Sequence, residues 1–182
     1  MPRETPQGFE GRLAALSRAD RLISSQASGR PSLASMLEQE LMPIAGDPSR
    51  YTLEGPSVVL HPDCAFALSL LFHELATNAA RHGSLSTGEG RLAVCWDLED
   101  GDLCLTWTET GGPPVRRPSS PGFGSLLVTY AAVKLQGSAN LLYLPSGLRC
   151  ELRVSLRACW PRRRGAMRLG NSGASAVPAR AM

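Results

Sequence analysis

Apolar and polar positions along this chain repeat with two different periods, and the changes of period mark its elements. Over "FEGRLAALSRADRLISSQA", residues 9–27, Leu13, Leu16 and Ile23 recur at helical spacing with arginines between them. This predicts an amphipathic helix ending at Ser28-Gly29. "RPSLASMLEQELMPI" predicts a second helix, with Ser32 as N-cap and Pro43 near its stop. In "YTLEGPSVVLHPD" a Gly-Pro breaks a β-branched run, predicting two short strands or a strand and a turn. From about Asp63 to His82 the Ala, Leu and Phe content is that of a core helix, started by Pro62 and Asp63 and stopped by Gly83. "RLAVCWDLEDGDLCLTWTE" then alternates around "EDGD", a hairpin pattern. The loop "TGGPPVRRPSSPGFG" leads into a helix, "SLLVTYAAVKLQG", and a second hairpin that turns at Pro145-Ser146-Gly147. Beyond Leu156 the chain becomes aperiodic in Arg, Gly, Ser, Ala and Pro and is expected to be disordered. Strands and helices do not alternate strictly. An α+β fold, a mixed sheet covered by helices on one face, therefore fits better than a doubly wound one.

One segment breaks its own pattern. Within the core-like helix, "FHELATNAARHG" carries Glu74, Asn78 and His82 at every fourth position, which puts them in one stripe. A buried amide or carboxylate without a partner costs about 1–3 kcal/mol. The stripe therefore needs a reason for its polarity.

Composition narrows the field. The 182 residues suit one domain with appendages, and 43% hydrophobic content suits a globular protein. No apolar run approaches the roughly 18 residues needed to cross a bilayer, and "MPRETPQGFEGRL" lacks a secretory apolar core. No membrane association and a cytoplasmic location are expected. The five cysteines are odd in number and form no C-x-x-C pair, which predicts reduced, mostly buried thiols and no zinc site. The net charge of +3 conceals an asymmetry: six arginines and no acid follow Leu156, leaving 13 basic against 16 acidic residues before it. The folded part is mildly acidic, which speaks against a nucleic-acid-binding surface.

The stripe and the glycine loops are where polar and special-backbone residues concentrate. A nucleotide with Mg²⁺ would use them well. The hard cation takes oxygen ligands, mostly phosphate and water with one or two protein groups, and the Asn78 carbonyl oxygen is a candidate. Glu74 is placed to orient or deprotonate an attacking group, and Arg81 or His82 to face phosphates. Gly111-Gly112 and Gly122-Phe123-Gly124 allow close backbone approach, and Gly124 directly precedes a predicted helix whose N-terminus favours an anion. Each feature also has a plain structural reading. The stripe can be a solvated face, a G-x-G a turn, Trp96 and Trp107 core residues, and His61 a turn residue.

The order of the features goes further than any one of them. "HELATNAARHGSLS", a hairpin, "WTETGGP", a Pro-rich loop and "PGFGSLLV" follow one another. This succession resembles the GHKL ATPases of the Bergerat nucleotide fold, and within them the catalytic domain of the HWE family of bacterial sensor histidine kinases. That family is named for a His in its N box and a Trp-x-Glu in its G1 box. The resemblance covers about residues 9–156. It implies a two-layer α/β sandwich, with residues 1–30 a remnant of the dimerisation and phosphotransfer helix, 31–156 the ATP-binding catalytic domain and 157–182 a basic tail. It implies Asn78 as the Mg²⁺ ligand, Glu74 as the catalytic carboxylate, and His73, Arg81 and His82 near the nucleotide. Glu109 takes the place of the Asp that recognises the adenine amino group. Gly111 and Gly112 line the adenine pocket, Gly122 and Gly124 lie beside the phosphates, and Pro113 to Pro121 form a short lid in which Arg116 and Arg117 reach phosphate oxygens.

The match is incomplete in one respect. A sensor kinase carries a phospho-acceptor His in its dimerisation hairpin, and no histidine precedes His61. The resemblance then implies ATP and Mg²⁺ as ligands, transfer of the γ-phosphoryl to a histidine in trans, a response regulator or separate His-bearing protein as partner, and a homodimer as an open question. The alternatives are a stand-alone GHKL protein acting like an anti-sigma-factor serine kinase, or a non-catalytic adaptor.

Overall fold

The structure, a computed structural model, describes the backbone of residues 31–115 and 123–159, and their side chains except at 123–126 and 158–159. The helix expected over 9–27, Arg116, Arg117, Gly122 and most of the arginine tail lie outside the described residues. A single 3₁₀ turn, Leu156–Cys159, continues past Leu156, where aperiodic chain was expected.

Helix α1 (Leu33–Ala45) starts where the sequence says it should. The Ser32 hydroxyl accepts the Ser35 N–H at 3.1 Å, the N-cap bond that satisfies an orphan donor. Pro43 lies near its stop, two residues before the last, Ala45. The helix runs on to Gly46, whose φ of +70° ends it in the left-handed conformation glycine tolerates best. A 3₁₀ turn (Pro48–Arg50) leads to strand β1 (Tyr51–Glu54). The long helix α2 (Pro62–His82) has Pro62 in its first turn and His61 as N-cap, its Nδ1 accepting the Asp63 N–H.

Strands β2 (Arg91–Glu99) and β3 (Asp102–Thr110) form the first hairpin. Its two-residue turn, Asp100-Gly101, has positive φ at both positions, the turn that matches strand twist. Helix α3 (Phe123–Lys134) and the hairpin of β4 (Ser138–Leu144) and β5 (Gly147–Ser155) complete the order. The sheet reads β1-β2-β3-β5-β4, with β1 parallel to β2 and every other pair antiparallel.

Alternation along the strands decides which face is covered. Leu92, Val94 and Trp96 of β2, Leu103, Leu105 and Trp107 of β3, and Cys150, Leu152 and Val154 of β5 are buried. They meet Leu33, Leu37 and Leu41 of α1, Leu68, Leu71, Phe72 and Leu75 of α2, and Val128, Ala131 and Leu135 of α3 in one core. Each fully buried Leu or Phe contributes about 1.5–3 kcal/mol. The intervening positions form the other face, where Arg153 bridges Glu99 and Asp102. The mixed sheet with helices on one face is thus as expected.

The thiols need a correction. Cys95, Cys104 and Cys150 are free, but Cys64 is disulfide-bonded, and Cys95 is exposed. No neighbouring cysteine signals that bond, because pairing depends on Cα separation in space and not along the chain. Burial pushes the Cys150 thiol up to about 12.

Candidate functional site

The second half of α2 presents two chemically different faces. Successive residues differ by about 100° around a helix, so His73 and Glu74 part company. His73 points inward, 8% exposed, with Nδ1 3.0 Å from Oε2 of Glu40, itself 6% exposed on α1. Glu74 and Asn78 are half-buried and His82 is exposed, in line along the outer margin, with Arg81 exposed beside them. The uninterrupted helix makes the four-residue spacing a real stripe, and Thr77 stays within it by donating its hydroxyl to the His73 carbonyl at 2.9 Å. His73 therefore does not join the stripe. In this pair the His73 ring nitrogen and the Glu40 carboxyl oxygen share one hydrogen bond, whose direction the His73 tautomer sets.

At the end of α2 the chain folds onto the tip of β3. Trp107 and Glu109 are two apart on one strand and so share its buried face. The Trp107 indole N–H donates to Oε1 of Glu109 at 3.1 Å, and the Ser84 backbone N–H donates to Oε2 at 2.9 Å. Glu109 is 2% exposed. Burial raises its pKa, and the Ser84 and Trp107 hydrogen bonds pull the other way. Each carboxylate oxygen accepts one N–H and retains capacity for a further donor.

Glycine makes this junction sterically feasible. A Cβ on Gly83 would stand 1.9 Å from Oε2 of Glu109, and one on Gly112 would stand 2.8 Å from the backbone of Gly83 and Ser84. Gly111, with φ of +69°, turns the chain after β3, and its carbonyl accepts the Thr87 hydroxyl at 3.0 Å. The turn from Ser84 to Thr87 is held from a third side, where Nη2 of Arg50 donates to the carbonyls of Leu85, at 3.3 Å, and Thr87. Gly124 lies in the first turn of α3.

The structure thus brings Glu109, Gly111 and Gly112 to the C-terminal end of the Glu74-Asn78-His82 stripe. Sequence reasoning missed Glu40, Arg50 and Ser84. Glu40 had a signal, since it stands at a core-facing position among Leu33, Met36, Leu37 and Leu41, where a carboxylate needs a partner. Arg50 and Ser84 had none. Among the described residues no cluster of three or more His, Cys, Asp or Glu could hold a metal ion, and no helix is long and apolar enough to cross a membrane.

A family model described as HWE histidine kinase matches residues 2–57, a stretch that crosses the boundary expected near residue 30. The blue-light-activated histidine kinase 1 of Erythrobacter litoralis is 40% identical over 106 residues, 57% of this chain and 29% of that protein. The chain is similar to the HWE histidine kinase model over that stretch and to this blue-light-activated kinase over a longer one. The blue-light-activated histidine kinase of Rhizobium johnstonii is 30% identical over 149 residues, covering 80% of this chain and 43% of that one. The chain spans less than half the length of either kinase. Among solved structures, the histidine kinase domain of the Erythrobacter litoralis EL346 protein superposes with a TM-score of 0.64 at 18% identity, over 81% of this chain and 74% of that one. The nucleotide-free catalytic domain of histidine kinase ThkA gives 0.53 at 10% identity, over 69% of this chain and 94% of that one. The fold is that of histidine kinase catalytic domains.

Proposed function

We propose that this chain is the ATP-binding catalytic domain of a two-component histidine kinase, acting on a protein histidine in the cytoplasm, with a response regulator as the final acceptor. The observation that carries this reading is the half-buried Glu74-Asn78 stripe ending at a junction built from Glu109, Gly111 and Gly112, within a kinase catalytic fold. One solved neighbour, with a TM-score of 0.51 and 19% identity over 69% of this chain and 94% of that one, is the ATP-binding domain of PrrB from Mycobacterium tuberculosis.

The donor set fits Mg²⁺ in the manner such an ion is usually held, by one protein oxygen with phosphates and water supplying the rest. The Asn78 carbonyl oxygen is that ligand, and the ion supplies charge neutralisation on the phosphates. Arg81 and His82 face phosphate oxygens, Gly124 at the start of α3 flanks them, and Glu109 lies beneath the base with Gly111 and Gly112. Glu74 takes the proton from the acceptor imidazole as its nitrogen bonds to the γ-phosphorus and the bond to the β-bridging oxygen breaks, ADP leaving. Positioning and charge complementarity carry most of such a transfer. His73, turned inward against Glu40, ties the stripe-bearing helix to α1. Residues 1–30 belong to the dimerisation region of such a kinase, and a homodimer follows if that region pairs.

Calorimetric titration with a non-hydrolysable ATP analogue tests the reading. Binding that needs both Mg²⁺ and Asn78, and is lost in Asn78→Ala, supports it. No binding by folded wild-type protein overturns it in favour of an adaptor. A phosphorylated product stable to acid would point instead to a serine or threonine kinase.

A further inference from the structure

The segment before β1 reaches the proposed nucleotide site through a residue that the stripe does not contain. Asp47 accepts the Ser49 N–H at 2.8 Å and so starts the 3₁₀ turn that ends at Arg50. Parallel pairing of Tyr51 with Leu92 then fixes the next residue against β2. Arg50 is left pointing across the sheet edge at the turn that precedes β2. One nitrogen, Nη2, serves two carbonyls there, those of Leu85 and Thr87, while its Nε is buried with no partner among the described residues. The guanidinium is thus committed to this turn.

What the turn does makes the clamp consequential. Its first residue, Ser84, donates the N–H that fixes Oε2 of Glu109. Its last, Thr87, donates to the Gly111 carbonyl and accepts the Gly90 N–H at 3.1 Å. Gly83 and Gly112 pack backbone to backbone beside it. Among the described residues Glu109 has no cationic hydrogen-bond partner, so the aim of its carboxylate depends on where the Ser84 and Trp107 N–H groups are held. Trp107 is fixed in the core; Ser84 is fixed by its turn.

We infer that Arg50 is a positioning residue for base recognition, holding the Ser84–Thr87 turn so that Glu109 presents a fixed carboxylate edge to the amino group of an adenine nucleotide. The inference rests on the reading of this site as an ATP site. A carboxylate accepts from the adenine amino group and is repelled by the guanine carbonyl at the same place, so its aim governs the preference between the two bases.

The test compares Mg²⁺-ATP-analogue and Mg²⁺-GTP-analogue binding by calorimetry in wild type, Arg50→Gln and Arg50→Lys, on the full chain. Thr87→Val, which loosens the same turn from its other side, carries the test should the Arg50 variants fail to fold. In the expected result wild type prefers adenine, Arg50→Gln narrows that preference about tenfold, a loss equivalent to about 1.4 kcal/mol of discrimination, and Arg50→Lys recovers part of it. Thr87→Val narrows it in the same sense. A merely structural role would weaken both nucleotides alike and leave their ratio intact, and that result overturns the inference while the ATP reading stands. Wild-type protein that binds neither nucleotide overturns both.

Discussion

Glu40 and Glu109 are both carboxylates sealed inside one small domain, yet the fold treats them differently. Glu40 faces His73 across the contact between α1 and α2, so its charge meets a group able to carry the opposite one. Among the described residues Glu109 meets only neutral donors, a backbone N–H and an indole N–H. The first arrangement locks two helices together. The second suits a site, since a carboxylate held by neutral donors keeps its charge uncompensated for a ligand. Burial without a counter-charge is what raises the pKa of Glu109.

The largest expected effect is on the locked pair. Glu40→Ala leaves the His73 imidazole buried without its carboxylate, and a loss of about 3–5 kcal/mol in urea-unfolding stability is expected. A loss under about 1 kcal/mol would show that water or a shifted side chain satisfies His73, and the contrast with Glu109 would lapse.

Glu109→Gln comes next. The amide can accept one of the two N–H bonds, but its NH₂ end meets the other donor, so about 1–3 kcal/mol of stability is lost. The pH dependence gives the sharper signature. A carboxyl whose folded pKa is raised contributes most below its ordinary value of 4.5 and loses that contribution as pH rises through the raised folded value. The stability difference between wild type and Glu109→Gln should therefore be largest in acid and shrink as pH climbs through that window, as denaturation curves at several pH values would reveal. A difference that grows with pH would mean a cation faces Glu109 after all.

Gly83→Ala should cost about 1–3 kcal/mol, because the new methyl overlaps Oε2 of Glu109 and forces the carboxylate or the turn to move. Thermal unfolding measures the cost, and a drop in ATP-analogue affinity beyond that of an equally destabilised core variant would show that the carboxylate moved. The smallest effect belongs to the uncovered face. Arg153→Ala breaks contacts to Glu99 and Asp102 that are exposed and screened by solvent, and no measurable change in unfolding midpoint is expected.

Sequence pattern determined much of this protein. The 3.6 and 2.0 periods located α1, α2 and both hairpins, the N-cap at Ser32 and the turn at Asp100-Gly101, because those features rest on local backbone preferences that a few neighbouring residues set. The Glu74-Asn78-His82 stripe was legible for the same reason: helical geometry alone aligns it. Gly83 shows where local reasoning gives a right position for a different cause. It ends α2, but its φ of −109° needs no glycine, and the requirement comes from a carboxylate two strands away in sequence. The partners of His73 and Glu109, the bond at Cys64 and the reach of Arg50 follow from which elements lie side by side. The hydrogen bonds of Ser84 to Glu109, His73 to Glu40 and Arg50 to Thr87 join residues 25 to 37 positions apart along the chain, and no period records them. They are decided only when the core closes, because hydrogen bonds and steric limits act over a few ångströms of space whatever the separation in sequence.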